Sequence, residues 1–432
     1  MEEYETLPLR FEDGLGVSAT SDDSTHPDDE QEDLVALGKK QRPLTCVFNF
    51  VNSSLGSGVL TIPFNLSVAG WGLGGILTAV FALLSTLSFY MLIQTANTSH
   101  RFQYDTVSAK IFPRWVGYVS VAASMLFTTG CVVSYVIVIR DNFFFFAEDE
   151  RLWTNLTLCG IMFLLILPLC FLPSLDALKF NSVLILVVVG YILFTVVYTF
   201  LDRCADGLAP APSVVAFNWS PSLIQAFPLT IQAYNSQYNF LNLYRELHSR
   251  KKNGMRVVWG NIGIITAIYA VIGVFGYLTY GDATESNILK NLAREGSVLA
   301  KIANVGMIVL MVCHYPLPVY SFRKSIESVA FHTEEYDRRW VSNLISAGIV
   351  VVATVIGIFL KSVDNVLDFT SSLAGGTLGF IMPGLFYYKI GSLEEHRGQQ
   401  AVGLALVVVG ALITLVGFAM ACYKWIVLPL SE

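Results

Sequence analysis

The residues most able to do chemistry stand where residues of their type fit poorly. Asn52-Ser53-Ser54-Leu55-Gly56-Ser57-Gly58 is small, polar and glycine-rich, yet it lies inside the first long apolar segment. A peptide group left unpaired in hydrocarbon is costly, so a breakable helix there needs a reason. Gly56 and Gly58 flank Ser57, and each costs a helix interior about 1 kcal/mol against alanine. A helix interrupted at mid-membrane offers free carbonyls from one half and free amides from the other, a binding site made of backbone. Close helix packing is the other reading, because glycine and serine also let helices approach.

A second stretch repeats the anomaly. Phe227 to Phe240 contains Gln232, Tyr234, Asn235, Ser236, Gln237 and Asn239, an amide-rich centre in an apolar span. No HExxH motif is present, and Leu55-Gly56-Ser57-Gly58 lacks the first glycine of a GxSG serine site, so an enzyme is not expected. No ring of like charges or repeated filter suggests a channel. The seven cysteines form no CxxC pair or zinc spacing. Only Cys204 is assigned to an outer loop, and no disulfide framework is expected.

The elements that must position these residues are membrane spans. The chain is 54% hydrophobic and 14% charged, with a mean hydropathy of +0.58, which fits a polytopic membrane protein and not a soluble domain. Eleven segments reach the length of about 20 residues that a span needs. They lie near 44–68, 71–96, 115–139, 153–173, 180–201, 222–243, 256–280, 298–322, 340–360, 366–388 and 401–425. Residues 1–42 hold 12 acidic and 4 basic side chains, leaving 21 and 23 for the remainder. The excess acidity is therefore a property of this tail, and no basic face is left for nucleic acid.

The tail reads as a disordered cytosolic segment. Tyr4-Glu5-Thr6-Leu7 has the form of a sorting signal, Ser21 and Ser24 lie beside acidic residues, and a cytosolic partner is a candidate role. With the tail inside, inner connections carry 18 Lys and Arg and outer ones 8, which places the N-terminus in the cytosol. An odd number of spans then puts residues 426–432 outside as a short C-terminus. The sequon Asn218-Trp219-Ser220 falls in an outer loop, making Asn218 the glycosylation candidate; Asn155-Leu156-Thr157 lies too close to the bilayer.

The two polar-centred segments are the first and the sixth, five spans apart, as an inverted repeat of five helices would place them. The expected architecture is all-α and polytopic: 11 transmembrane helices in a 5+5 inverted repeat, LeuT-like, with helices 1 and 6 broken. The transporter domain covers 43–425, with repeat one at 44–201, repeat two at 222–388 and an extra helix at 401–425.

Four motifs then carry a family resemblance. Asn52 to Leu60 resembles the first helix of the amino acid/auxin permeases, relatives of the sodium-coupled neutral amino acid transporters and vacuolar amino acid transporters. The resemblance continues through Leu243-Tyr244-Arg245-Glu246-Leu247, through Phe275-Gly276-Tyr277-Leu278-Thr279-Tyr280-Gly281-Asp282 with Asn287-Ile288-Leu289, and through Ile381-Met382-Pro383-Gly384-Leu385-Phe386-Tyr387-Tyr388. It implies eleven helices and amino acid transport by alternating access, with no cofactor beyond a transported H+ or Na+.

A zwitterionic substrate needs partners for both charges. The amides of Gly56, Ser57, Gly58 and Val59 are expected to take the carboxylate, with Ser53 and Ser54 beside them. The carbonyls from Ala233 to Ser236 are expected to take the ammonium, while Tyr234, Asn235 and Gln237 shape the side-chain pocket. Glycine at 56 or 58 lets a substrate approach backbone.

The sodium-coupled relatives resemble a site made from an asparagine in helix one and a threonine in helix eight. Asn52 matches the first, but His314 in Val312-Cys313-His314-Tyr315-Pro316 stands at the second position. Imidazole is a poor ligand for sodium and titrates near physiological pH, so proton coupling is favoured over sodium, with Asn52 the sodium ligand in the other case. The alternative for His314 is a hydrogen bond to a carbonyl freed by Pro316. Asp368 is a second titratable candidate, read as an outer-end helix cap near Lys361 and Asp364.

The reading is a secondary active transporter of neutral amino acids. A membrane amino acid sensor, signalling through the tail with little transport, fits the same pocket. Plasma membrane and vacuole or lysosome both remain open.

Overall fold

Helices dominate because hydrocarbon offers backbone groups no other partner. The computed structural model describes residues 40–144, 151–172, 181–331, 339–360, 362–393 and 395–426. Among them all regular elements are helical, and one isolated backbone bridge pairs Gln41 with Leu247. The sorting and phosphorylation motifs of the tail lie outside the described residues.

The chain starts with α1 (Pro43–Ser54), a 3-10 turn (Ser57–Leu60) and α2 (Ile62–Ala69). Then come α3 (Trp71–Ser99), α4 (Tyr104–Ile111) and α5 (Arg114–Phe144). Helix α6 runs Arg151–Gly160 and continues through a π turn, Ile161–Ile166, into Leu167–Cys170. After α7 (Asn181–Ala205), two short helices follow, α8 (Ala226–Tyr234) and α9 (Gln237–Glu246). The second half holds α10 (Arg250–Tyr280), α11 (Ile288–Arg294), α12 (Val298–His314), α13 (Pro316–Phe331) and α14 (Arg339–Phe359). It closes with α15 (Val363–Thr370), α16 (Met382–Leu393) and α17 (Arg397–Ile426). Two π turns, Ser371–Gly375 and Thr377–Ile381, join α15 to α16.

Nine helical stretches among the described residues are long and apolar enough to cross a membrane, from Trp71–Ser99 to Arg397–Tyr423. The segments at 44–68 and 222–243 are each made of two shorter helices instead. Leu83, Leu164, Phe359 and Leu415 stand exposed, which suits a lipid surface better than water. Many buried hydroxyls are satisfied on their own helices, as in Thr86 to the Ala82 carbonyl at 2.8 Å and Thr354 to Val350 at 2.7 Å. Two helix starts are sealed by side chains: the Asn287 side chain accepts from the Leu289 amide, and that of Ser297 from the Ala300 amide, both at 3.1 Å.

An aromatic wedge binds α1, α3 and α9 together. Phe50 of α1, Phe89 of α3 and Phe240 of α9 have ring centroids 4.8–5.2 Å apart, and such pairs contribute about 0.5–1.5 kcal/mol each beyond burial. Beside it, the Gln41 amide donates to the Glu246 carbonyl at 2.7 Å and the His248 amide to the Gln41 carbonyl at 3.0 Å.

Two expectations change. Cys204 is not in a loop but near the end of α7, exposed and free. Asp368 does not cap a helix start: α15 begins at Val363 with Asp364 in its first turn, and Asp368 is buried in the last turn. The cap fails because the helix starts earlier than hydropathy alone suggested. Lys361 lies outside the described residues.

Candidate functional site

The first interruption is built by Leu55 and Gly56. Helix α1 ends as Leu55 turns to φ −84°, ψ 86° and Gly56 to φ −108°, ψ −148°. The Gly56 amide donates to the Ser54 carbonyl at 3.2 Å, and Val59 donates to the Gly56 carbonyl at 3.4 Å. Two of the four amides expected to bind a carboxylate are therefore already engaged. Among the described residues no acceptor takes the amides of Ser57 and Gly58.

The second interruption lies at Asn235 (φ −91°, ψ 80°) and Ser236 (φ −108°, ψ 12°). Its carbonyls are largely used as well. Tyr269 of α10 donates its hydroxyl to the Ala233 carbonyl at 2.8 Å, Ser236 donates to Tyr234 at 3.2 Å, and Asn239 to Ser236 at 3.3 Å. Tyr234 holds Thr266 through its hydroxyl at 2.8 Å and packs edge-on against Tyr269, so it braces α8 against α10.

The two interruptions touch. A Cβ on Gly58 would stand 3.3 Å from the Ala233 Cα, so glycine at 58 admits the other backbone. The Ser54 and Ser236 hydroxyls are 2.9 Å apart, and Ser54 also lies 3.2 Å from the Asn261 Oδ1 of α10. Asn239 donates its amide to the Ser53 hydroxyl at 3.3 Å. Ser57 meets Ser134 of α5 at 2.8 Å. Above Gly56 the space a Cβ would fill is taken by the Tyr135 hydroxyl, 2.9 Å away.

Several buried polar atoms here have no partner: Asn235 Oδ1, both amide atoms of Gln237, Asn261 Nδ2 and Asn52 Oδ1. Gln237 and Asn261 are fully buried. Each such atom costs about 1–3 kcal/mol when left unpaired, so a ligand able to donate and accept would stabilise the cluster.

His314 ends α12 and is fully buried. Neither ring nitrogen has a partner, so the expected alternative bond to a carbonyl freed by Pro316 is not formed. Its ring meets Tyr135 edge-on, centroids 5.7 Å apart at 84°. No hydrogen bond joins His314 to Asn52 among the described residues. Asn218 accepts the Ser220 amide at 3.2 Å and donates its own amide to the Ala69 carbonyl at 2.9 Å, so the sequon is folded against the end of α2.

Sequence reasoning missed Ser134, Tyr135, Asn261, Tyr269 and Gly375. The first four lie within regular helices and Gly375 in a π turn, and only the polarity of Ser134 and Asn261 inside apolar runs hinted at any of them.

A family model described as transmembrane amino acid transporter protein matches residues 39–426. The chain belongs to this family, the amino acid/auxin permeases. Members of the transporter family are carriers and not enzymes. The chain is 24% identical over 425 residues to the sodium-coupled neutral amino acid symporter 2 of Danio rerio, covering 89% of this chain and 83% of that protein. It is 24% identical over 402 residues to the amino acid transporter AVT6E of Arabidopsis thaliana, with 86% and 81% covered. It spans only 35% of solute carrier family 38 member 10 of Rattus norvegicus, at 24% identity over 85% of this chain. In fold it is similar to a Na+-coupled sialic acid symporter in a substrate-bound outward-open state (TM-score 0.55, 15% identity, 90% and 91% covered). A manganese transporter of Eremococcus coleocola gives a TM-score of 0.60 at 13% identity, with 93% and 90% covered. These neighbours are LeuT-fold transporters, and the likeness shows the fold.

Proposed function

We propose that this chain is a proton-coupled secondary transporter of neutral amino acids, working by alternating access around the paired interruptions. The observation that carries the reading is their contact. Free amides at Ser57 and Gly58 lie against a second interruption rich in unpartnered amide oxygens. A zwitterion supplies a carboxylate for the first and an ammonium for the second.

The order of elements supports a 5+5 repeat. One divided segment and four continuous stretches are followed by another divided segment and four more, with Arg397–Ile426 left over. In this reading the divided segments are broken spans one and six, the N-terminus is cytosolic, and one bundle rocks against the other.

His314 is the proposed proton carrier. A charged imidazole where it lies has two donors and no acceptor, which is costly in a buried site. Protonation therefore favours a different arrangement of α12, and Tyr135 transmits that change to Gly56. Sodium coupling through Asn52 is the competing assignment.

The test is uptake of labelled amino acids by the reconstituted chain, under an imposed proton gradient or an imposed sodium gradient, with His314→Thr alongside. Proton-driven accumulation that His314→Thr abolishes is expected. Sodium-driven accumulation that survives the substitution would overturn the role of His314. Binding without flux under either gradient would replace transport by sensing.

A further inference from the structure

The ammonium of the substrate was assigned above only to the second interruption, whose backbone carbonyls are mostly occupied. That of Ala233 holds Tyr269, while those of Tyr234 and Ser236 hold local amides. The Asn235 side chain is different. Its Nδ2 donates to the Gly375 carbonyl at 3.0 Å, bridging 140 residues of sequence. A carbonyl only accepts, so this bond fixes which end of the amide is nitrogen. The oxygen, Oδ1, is left with no partner in a residue only 6% exposed.

The partner helix is shaped to allow this. Gly375 closes the first π turn after α15, and Gly379 lies in the second. A Cβ on Gly375 would meet the Asn235 Nδ2 at 2.9 Å, and one on Gly379 would stand 3.7 Å from Oδ1. Glycine at 375 thus leaves room for the amide nitrogen, and Gly379 lies beside its oxygen. The π turns also leave carbonyls for side-chain donors, and three are taken this way: Gly375 by Asn235, Leu378 by Tyr104 at 3.0 Å, and Gly379 by Ser88. π turns of this kind gather at functional sites.

We propose that Asn235 Oδ1 is the side-chain acceptor for the substrate's α-ammonium group, and that Gly375 is the positioning residue that aims it. The inference rests on the amino acid transport proposed above. An ammonium brings three donors and a charge, and a charge-assisted bond to a desolvated oxygen is stronger than a neutral one. The carboxylate end lies close by, since Gly58 abuts Ala233, two residues before Asn235. Asn235 thus distinguishes an α-amino acid from the same skeleton carrying a 2-hydroxyl, which has one donor and no charge.

The full chain is reconstituted in proteoliposomes and three matched pairs are compared: L-alanine with L-lactate, L-leucine with L-2-hydroxyisocaproate, and L-phenylalanine with L-3-phenyllactate. Uptake of the labelled amino acid is measured with its hydroxy analogue as competitor, for wild type, Asn235→Ala and Gly375→Ala. In Asn235→Ala the KM for the amino acid is expected to rise about 10- to 100-fold while inhibition by the hydroxy acid changes little. Gly375→Ala, which keeps Asn235 but displaces its amide, is expected to reduce the same discrimination in part. Damage to the fold would weaken both ligands together. Asn235→Ala or Gly375→Ala protein with wild-type discrimination would overturn the assignment. If wild type itself recognises no member of the three pairs, the transport reading fails first, and the two failures are told apart.

Discussion

The contact between Tyr135 and Gly56 gives the sharpest test of how the first interruption is held. Gly56→Ala adds a Cβ 2.9 Å from the Tyr135 hydroxyl, closer than real Cβ atoms come to a neighbour. Tyr135 has little room to retreat. It is 4% exposed, and its ring is edged by His314 at 5.7 Å and Tyr315 at 6.2 Å. Overpacking of this kind costs about 1–3 kcal/mol. At about 1.4 kcal/mol per tenfold, uptake is expected to fall about 5- to 150-fold if the strain opposes the working geometry of the break. The cause is one oxygen atom. Without it, the nearest ring atoms lie 3.6 and 3.7 Å from the added Cβ, an ordinary contact. In a Tyr135→Phe background Gly56→Ala should therefore cost about twofold or less. The assay is a double-mutant cycle of initial uptake in proteoliposomes, normalised to folded protein by size-exclusion chromatography. Equal loss from Gly56→Ala in both backgrounds would refute the contact as the reason for glycine at 56.

Two further outcomes are expected. Gly58→Val pushes a branched side chain onto the Ala233 main chain, already 3.3 Å from a Cβ. It should lower uptake more than Gly58→Ala, by about 10-fold or more, and equal uptake by the two variants would show that the interruptions need not touch. Asp141→Asn removes the charge that holds Lys290 of α11 at 2.7 Å and Arg140 at 2.9 Å. The loss should be about 1–3 kcal/mol, below that for a fully buried pair because Lys290 keeps some water. It is read as a lower unfolding midpoint in detergent, and an unchanged midpoint would make this ion pair energetically neutral.

The division between sequence and tertiary structure follows the range of the forces involved. Hydropathy is summed along the chain, so the long apolar stretches from Trp71 to Tyr423 were legible before any fold was known. Glycine and buried amides weaken a helix locally, so the departures from regular helix near Ser57 and Asn235 were legible too. Family motifs were equally visible, because they are runs of adjacent residues.

What the sequence alone could not assign was the use of each polar group, because that depends on which helix lies opposite. Four amides at the first interruption looked equally free, yet local turns engage those of Gly56 and Val59 and leave Ser57 and Gly58. The Ala233 carbonyl looked available until Tyr269 was brought to it from α10. Asp368 looked like a cap because its helix start was misplaced, and burial in the last turn of α15 makes it something else. Tyr135 and Gly375 carried no local signal, since tyrosine in α5 and glycine in the stretch after α15 are unremarkable in sequence. Their importance comes from packing across 79 and 140 residues of chain, against Gly56 and Asn235. Local chemistry determined where the helices give way. Only the packing of distant spans decided which of the exposed groups remain open to a ligand.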